Sequence, residues 1–304
     1  MLVDAWLRRP NEGTRVREFE QNEGVGQLVV IATPLGNLGD ISRRALHYLD
    51  VADVVYCEDT RHSNKLFSAH DIAVRSRLAS LHEHNEASQC EQIIARIRAG
   101  ETVVIISDAG TPGISDPGTR VIAAVADAGL KVTTVPGPSA VIAALTLSGL
   151  DTERFIMEGF VPRKHGERDV LYANWAKQER TIVFFESPQR LATTLSELAQ
   201  RFGQRRVAVA REMTKLHEEV LRGTVAEVSS IVNARDIVGE VVVVLEGATN
   251  IVEADDATIR AALLERLGAG SSVRDAAAFV ADTLGASRRV TYEIALALRV
   301  EPTP

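Results

Sequence analysis

Residues Val103–Gly118 read Val-Val-Ile-Ile-Ser-Asp-Ala-Gly-Thr-Pro-Gly-Ile-Ser-Asp-Pro-Gly, and this stretch indicates the fold class. An apolar run typical of a buried parallel strand ends in a loop rich in glycine and proline. The residues from Arg120 to Ala128 then follow helical spacing. In open α/β sheets, ligands bind beyond the carboxyl ends of strands, where a helix begins. The loop therefore predicts a binding site, and nothing in it resembles a hydrolytic nucleophile with its base.

The composition is that of a protein with ordinary globular cores. Its 304 residues and 45% hydrophobic content suit two domains, or two domains and a small appendage. The formal net charge is −7, so contact with nucleic acid would need a local basic patch. The two cysteines, Cys57 and Cys90, form no CxxC pair, which indicates a reducing compartment. No apolar stretch reaches membrane-spanning length and residues 1–24 lack a secretory signal, so we expect a cytoplasmic protein with no membrane partner.

Short β-rich runs alternate with helical segments along the chain, which is the pattern of α/β layers. We expect a flexible extension over residues 1–25 and an N-terminal α/β domain over 26–149. A C-terminal α/β domain over 150–249 and a helical domain over 255–304 follow.

The predicted elements fall into three groups along the chain. In the first domain, strands are predicted at Gln27–Ala32, Asp53–Tyr56, Thr102–Ile106 and Lys131–Val135, and helices at Ser42–Leu49, Arg61–His70, Glu86–Arg98, Pro117–Ala128 and Pro138–Leu147. In the second domain, strands are predicted at Phe155–Glu158, Thr181–Phe185, Arg206–Ala210, Glu218–Leu221 and Glu240–Leu245, and helices at Glu167–Gln178, Gln189–Arg201 and Val225–Val232. The tail helices are predicted at Thr258–Leu267, Val273–Leu284 and Arg288–Leu298, and the last two, with the turn between them, resemble a helix-turn-helix.

Ordered motifs follow the predicted strands of both domains. In the first domain they are Thr33–Asp40, Cys57–Arg61, the loop already quoted, Leu81–Glu86 and Val135–Ala140; in the second they are Gly159–Lys164, Phe184–Pro188, Arg211–Glu219 and Gly239–Gly247. Together these motifs resemble the tetrapyrrole methylase superfamily, whose members bind S-adenosyl-L-methionine between two α/β domains. The resemblance runs from about Gln27 to the end of the chain. Within the superfamily, the motifs are similar to those of bacterial 2′-O-methyltransferases that act on small-subunit ribosomal RNA.

The resemblance implies an α/β fold of two domains with the cofactor in the interdomain cleft, plus a small C-terminal domain like a helix-turn-helix. It implies an enzyme that methylates the ribose 2′-hydroxyl of a cytidine in the decoding region of 16S ribosomal RNA. The partner would be that RNA or the assembled small subunit, and the protein would be a homodimer. Two other functions stay open. One is methylation of another acceptor, a tetrapyrrole or a protein, and the other is a non-catalytic RNA-binding assembly factor.

The resemblance also implies where the methyl donor binds. The matching positions are Pro34, Leu35, Asp108, Gly110, Thr111, Ser139, Ala140, Phe185, Ala210 and Glu240. The residue types agree with that assignment, because the Asp108 carboxylate can accept from a cationic amino group and helix-start amides near Pro138 can donate to a carboxylate. Phe185 and Ala210 could enclose the adenine. Ser139 taken alone is also an ordinary helix cap.

Transfer to a ribose hydroxyl needs a general base or a cation near the developing alkoxide, because the hydroxyl is a poor nucleophile. The candidate bases are Glu58, Asp59, His82, His84, Glu86 and Asp116. Glu58 and Asp59 are favoured, since they end a strand beside the cofactor loops, and Lys215 is the candidate cation. A salt bridge to Arg61 or Arg43 is the alternative role for Glu58.

Contacts with the RNA substrate are predicted at polar and basic residues of the motif loops and of the last helix. They are Arg61, His82, His84, Glu86, Asp116, Arg163, Lys164, Arg288 and Arg289, with Arg168 as a further partner for phosphate. The alternative for the tail is a small helical cap in which Tyr292 packs into its own core. Two histidines and two carboxylates lie within His82–Glu86, but no further protein ligand stands out, so no metal site is predicted. Mg²⁺ held through phosphates would leave little trace in the sequence.

Overall fold

The computed structural model describes residues 26–73, 78–248, 256–284, 286 and 288–300. The predicted extension over residues 1–25 lies outside the described residues. So do residues 249–255, between the predicted second and helical domains, and Gly285 and Ser287 in the turn of the tail.

The first half of the described chain forms a parallel sheet, as expected for apolar β-branched runs separated by helices. Its strands are β1 (Gln27–Ile31), β2 (Val54–Cys57), β3 (Leu78–Ser80), β4 (Thr102–Ile106) and β5 (Lys131–Val135). Their order is β3-β2-β4-β1-β5, and each neighbouring pair is parallel. The loops after these strands therefore leave the same edge of the sheet.

Helices cover both faces of this sheet. They are α1 (Arg43–Val51), α2 (Thr60–Ala69), α3 (Glu86–Arg98), α4 (Thr119–Asp127) and α5 (Ala140–Ser148), with a 3₁₀ turn at Leu38–Asp40. Adjacent residues of β1 enter different cores, because successive side chains of a strand face opposite sides. Val29 packs in a cluster with Leu49 and Phe67, and Leu28 packs in another with Ile93.

The second sheet has the order β6-β7-β10-β8-β9. Its strands are β6 (Phe155–Phe160), β7 (Thr181–Glu186), β8 (Arg206–Arg211), β9 (Glu219–Thr224) and β10 (Val241–Leu245), and its helices are α6 (His165–Ala176), α7 (Pro188–Phe202) and α8 (Val225–Asn233). α8 begins with a capping box, in which the Thr224 hydroxyl accepts from the Glu227 amide and the Glu227 carboxylate accepts from the Thr224 amide.

Three helices follow, namely α9 (Asp256–Gly268), α10 (Val273–Leu284) and α11 (Arg288–Val300). They pack around a small apolar core that includes Leu263, Val280 and Ala295. Tyr292 is 41% exposed and does not belong to that core, so the packing considered for it from the sequence is wrong.

The chain divides into two compact units. One comprises the described residues up to Leu147 together with Ala210–Val220 and Gly239–Val242, and the other comprises Ser148–Val209, Leu221–Val238 and the described residues from Val243 onward. The three domains predicted from the sequence, at residues 26–149, 150–249 and 255–304, remain a proposal about which parts of the chain fold independently.

The α/β class and the helical C-terminal segment predicted from the sequence are confirmed. The strand β3 and the 3₁₀ turn have no counterpart among the predicted elements, since three residues are too few to show a period. β9 extends to Thr224, beyond the predicted end at Leu221. None of the helices in the described ranges is long and apolar enough to cross a membrane.

Arg205 is a buried cation that stabilises the end of α6. Its guanidinium donates to the carbonyl oxygens of Trp175 and Gln178 at 2.9 and 3.3 Å. Helix C-termini leave carbonyl groups unpaired and favour a positive charge. Arg205 therefore satisfies acceptors that have little access to water.

We expect Arg205→Ala to lower the free energy of unfolding by about 2–4 kcal/mol, because it leaves buried carbonyls unpaired and opens a cavity. Arg206→Ala is the matched control. Arg206 pairs with Glu246 while 59% of its side chain is exposed, so its loss should cost less than about 1 kcal/mol. Urea unfolding at pH 7 measures both variants. Equal losses would contradict the role assigned to Arg205.

Candidate functional site

The loops after β1 and β4 are joined by a pair of backbone hydrogen bonds. The Thr33 amide donates to the Gly110 carbonyl at 2.9 Å, and the Gly110 amide donates to the Thr33 carbonyl at 3.0 Å. The Thr33 hydroxyl also donates to the Ser107 carbonyl at 3.0 Å. Gly110 has a φ of +82°, which side-chain-bearing residues rarely adopt, and a Cβ there would lie 3.3 Å from Leu35. This crossing of two loops therefore requires glycine.

The loop after β5 is joined to the loop after β4 by a hydrogen bond. The Thr111 hydroxyl donates to the Pro138 carbonyl at 3.2 Å. Ser139 precedes α5, and its hydroxyl accepts from the Ile142 amide at a long 3.5 Å. The first amides of α5 have no acceptor within the helix. The three connected loops carry the predicted cofactor contacts Pro34, Leu35, Asp108, Gly110, Thr111, Ser139 and Ala140.

Carboxylates from the loops after β2 and β4 interact unfavourably with one another. Burial raises the pKa of Asp116 to about 6, the charges of Glu58 and Asp108 add to the rise, and a hydrogen bond from Ser107 opposes it. Partial removal from water and the charge of Asp108 raise the pKa of Glu58, while His82 opposes that rise. A carboxyl group whose pKa lies near neutrality can exchange a proton at physiological pH.

Asp59 is engaged at the start of α2. Its Oδ1 accepts from the Arg61 amide at 2.8 Å, and its Oδ2 pairs with the Arg61 guanidinium at 3.3 Å. Hydrogen bonds from Arg61 lower the pKa of Asp59, which makes it a weaker base than Glu58. Arg61 thus pairs with Asp59, whereas the alternative considered from the sequence paired it with Glu58. We assign Asp59 to helix capping and not to proton transfer.

Glu86 is 6% exposed and acts as a helix cap. Its Oε1 accepts from the amides of Gly118, Arg120 and Val121 at 3.0, 2.7 and 3.3 Å. Glycine at the start of α4 offers no side-chain cap, so the carboxylate of α3 supplies one. The predicted role of Glu86 as a base or substrate contact is therefore corrected, because its carboxylate fixes the end of the loop after β4.

His82 and His84 lie edge to face, with ring centres 6.0 Å apart. Nδ1 of His82 is buried and has no hydrogen-bond partner among the described residues. In the described ranges, no group of three or more histidine, cysteine, aspartate or glutamate side chains is arranged to hold a metal ion. Both histidines stay predicted substrate contacts.

Lys215, in the turn after β8, is held by two carboxylates. Its Nζ donates to Glu212 at 2.9 Å and to Glu240 at 3.1 Å. Burial lowers the pKa of Lys215, but the hydrogen bonds to the two carboxylates outweigh that effect and the net shift is upward. A Cβ on Gly36 would lie 2.2 Å from Cγ of Lys215, so the loop after β1 packs on the lysine stem. The result is a cation fixed against Gly36 of the loop after β1.

Glu212 is a residue of this site that the sequence analysis did not single out. It has a φ of +49°, and Thr214 has a φ of +66°, both in the left-handed region. Oε1 of Glu212 also accepts from the Glu240 amide at 2.9 Å. Gly239 lies against the same oxygen, and a Cβ on that glycine would come within 2.2 Å of it. Backbone strain in non-glycine residues concentrates at functional sites. The signal in the sequence that could have identified Glu212 is its place three positions before Lys215, the predicted cation.

The predicted basic contacts of the second unit lie after β6. Arg163 and Lys164 are exposed, and Lys164 pairs with Glu167 at 2.9 Å. Arg168 instead makes a two-pronged pair with Glu197 at 2.7 and 2.9 Å, with 15% of its side chain exposed. The predicted pairing of Arg168 with phosphate is therefore corrected.

The remaining predicted positions are spread over other elements. Phe185 is half-buried near the end of β7, and Ala210 is buried near the end of β8. Arg289 is exposed on α11 and lies 3.8 Å from Glu293. Arg288 begins α11, and its side chain lies outside what the structure describes.

The chain matches the family model of Tetrapyrrole (Corrin/Porphyrin) Methylases over residues 27–229. It is 45% identical over 278 residues to a Mycobacterium tuberculosis (strain H37Rv) protein named ribosomal RNA small subunit methyltransferase I. The aligned residues make up 91% of this chain and 96% of the relative. A protein of the same name from Xylella fastidiosa is 44% identical over 275 residues, covering 88% and 98%. Another from Synechocystis sp. is 38% identical over 280 residues, covering 91% and 100%.

Solved structures share the fold at low sequence identity. Uroporphyrin-III-C-methyltransferase from Thermus thermophilus has a TM-score of 0.52 at 20% identity, covering 73% of this chain and 94% of that one. Diphthine synthase has a TM-score of 0.57 at 18% identity, covering 72% and 89%. At such identities these likenesses establish the fold alone.

Asp116→Asn should stabilise the protein at pH 8, and the gain should shrink as the pH falls. The pKa of about 6 lies above the value in an unfolded chain. The stability that protonated Asp116 contributes is therefore fully present in acid and lost as the pH rises through 6. Removing the charge should add about 1–2 kcal/mol at pH 8, after allowance for partial exposure.

Thermal unfolding at pH 8 and at pH 4.5 measures this change. Asp59→Asn is the control of opposite sign, because the lowered pKa of Asp59 gives stability that is present above the unfolded-chain pKa and lost in acid. An Asp116→Asn variant no more stable than the unmodified protein at pH 8 would disprove the raised pKa of Asp116.

Proposed function

We propose, because this chain belongs to the tetrapyrrole methylase family, that it is an S-adenosyl-L-methionine-dependent methyltransferase of small-subunit ribosomal RNA. The observation that carries the proposal is the 45% identity, over 91% of the chain, with proteins named ribosomal RNA small subunit methyltransferase I. We propose further that the acceptor is the ribose 2′-hydroxyl of a cytidine in the decoding region. In this proposal the protein is a homodimer and acts in the cytoplasm.

The connected loops of the first sheet fit the two charged ends of the methyl donor. When it is bound, S-adenosyl-L-methionine supplies an electrophilic methyl group attached to a sulfonium. The Asp108 carboxylate can accept from its ammonium group, and the first amides of α5 can donate to its carboxylate. Phe185, Ala210 and Glu240 are the further donor contacts in this proposal.

The acceptor hydroxyl must lose its proton, because its pKa lies far above neutrality. Glu58 and Asp116 are suited to take that proton, since burial and the negative charges of neighbouring carboxylates raise the pKa of both carboxyl groups. Each also interacts electrostatically with Asp108, the proposed donor contact. These two residues therefore share the role that the sequence analysis gave to Glu58 and Asp59.

Lys215 supplies positive charge for the oxygen that gives up its proton. Its ammonium group is fixed by Glu212 and Glu240, so it needs little reorganisation during the reaction. The packing of Gly36 on its stem holds it next to the loop that carries Leu35. Positioning of this kind supports in-line transfer, in which alignment supplies much of the rate acceleration.

The proposal is tested with small ribosomal subunits from cells that lack this protein. Purified protein and radiolabelled S-adenosyl-L-methionine are added, and the label is mapped by the resistance of the adjacent phosphodiester to alkali. We expect label on the ribose of a cytidine in the decoding region. Label on a base would contradict 2′-O-methylation. RNA without label would contradict the proposed RNA methyltransferase activity.

Lys215→Met should lower the turnover number by about 100- to 1,000-fold, the usual effect of removing a preorganised charge-stabilising donor. The dissociation constant for the methyl donor should stay within about threefold, because Lys215 is not proposed to hold it. Lys215→Arg keeps the charge and serves as the control, with a loss of less than about tenfold. Calorimetric titration and subunit methylation measure the two quantities. Full turnover by Lys215→Met would exclude Lys215 as the stabilising cation.

A further inference from the structure

Phe160, the last residue of β6, is a large aromatic side chain left 57% exposed. Its ring lies 5.4 Å from the ring of Phe185, at an angle of 53°. β6 and β7 change register between Met157 and Phe160, and Gly159 has a φ of +71°. Because strand irregularities redirect the side chains next to them, this bulge accounts for the exposure of Phe160.

The loop that follows Phe160 is braced by two arginines. Arg168 donates to the Arg163 carbonyl at 2.7 Å, and Arg190 donates to the Val161 carbonyl at 3.0 Å. The backbone of this loop is therefore fixed at both ends of the segment 161–163.

Carboxylates in turn hold both bracing arginines. Arg168 pairs with Glu197 of α7, with less than a fifth of either side chain exposed. Arg190 pairs with Glu186, whose side chain is 0% exposed. Pairs of this kind are costly to break from one side, because a buried charge would be left uncompensated. The loop is thus built as a rigid support.

Two exposed basic residues follow Phe160 in the same loop, three and four positions later. The Arg163 side chain is exposed and has no hydrogen-bond or ion-pair partner in the part of the chain that the structure describes. Lys164 pairs only with Glu167, and 81% of the lysine side chain is exposed. Proteins that bind unpaired nucleotides combine exposed aromatic faces with basic side chains, and this loop carries both in Phe160 and Arg163.

We propose that Phe160, supported by Phe185, stacks on an unpaired base of the RNA substrate while Arg163 binds a neighbouring phosphate. This inference rests on the proposed RNA methyltransferase function. The rigid loop lowers the ordering cost of binding, because the arginine braces fix the backbone before RNA arrives. The ring of Phe160 confers no base identity, since every base offers a stacking face.

The test measures the dissociation constant of the full chain for purified small subunits, together with methylation kinetics. Phe160→Ala should weaken subunit binding by about 5- to 100-fold, the range expected for one lost base stack. Phe160→Trp should bind subunits about as well as the unmodified protein, because it keeps an aromatic face. Ile231→Ala is the matched control, since Ile231 is also a large exposed apolar side chain, 43% exposed on α8. Affinity for S-adenosyl-L-methionine should stay within about twofold in each variant.

Salt dependence separates the two contacts. Arg163→Ala should lower the slope of log affinity against log salt by about 0.7, the value for one phosphate of a single strand. Phe160→Ala should weaken binding without changing that slope, because stacking releases no counterions.

Each result decides between the hypotheses. If the unmodified protein methylates the subunit and Phe160→Ala binds as well as Ile231→Ala, the stacking is disproved and the enzyme function stands. If Phe160→Ala weakens donor binding instead, the ring belongs to the donor site and the proposal fails. If binding depends on Phe160 but no methyl group is transferred, the enzyme function fails and the stacking stands. Weaker binding to the assembled subunit with unchanged binding to free 16S RNA would assign the contact to a ribosomal protein and overturn the base stack.

Discussion

Two backbone hydrogen bonds between Thr33 and Gly110 join the loops that leave the neighbouring strands β1 and β4. Parallel strands bring their loops to one edge of a sheet, but those loops can share a ligand only if something fixes them. The positive φ of Gly110 makes this crossing possible. Thr111 extends the connection to the loop after β5, and Gly36 extends it to Lys215. The proposed donor site and the proposed cation therefore depend on the same set of contacts.

The acidic residues of the site differ in how their charge is compensated, and that difference separates structure from chemistry. The carboxylate of Glu86 accepts from three amides, and that of Asp59 is neutralised by Arg61. Both are thereby committed to holding the start of a helix. In the described part of the chain, a hydrogen bond from Ser107 to Asp116 and the charge of His82 near Glu58 do not offset burial and the neighbouring negative charges, so the pKa of each carboxyl group is raised. Asp116, whose pKa is about 6, can therefore exchange a proton near neutral pH.

The sequence allowed the strands, the helices and the loop edge to be predicted, because buried strands and amphipathic helices leave periodic patterns bounded by glycine and proline. It did not allow the partner of each charged side chain to be predicted. Glu86 lies 32 positions from Gly118, and only the folded chain brings the carboxylate to that amide. The same holds for the pair formed by Arg168 and Glu197. β3 was missed because its three residues leave no pattern.

The central claim is that the joined loops of the first sheet hold the methyl donor, next to the turn that carries Lys215. Hydrogen–deuterium exchange of the full chain, with and without saturating S-adenosyl-L-methionine, tests it most directly. We expect slower amide exchange at residues 33–40, 108–118 and 136–143 when the donor is present. Saturating donor that leaves these segments unchanged, or that slows exchange only in α9–α11, would contradict it.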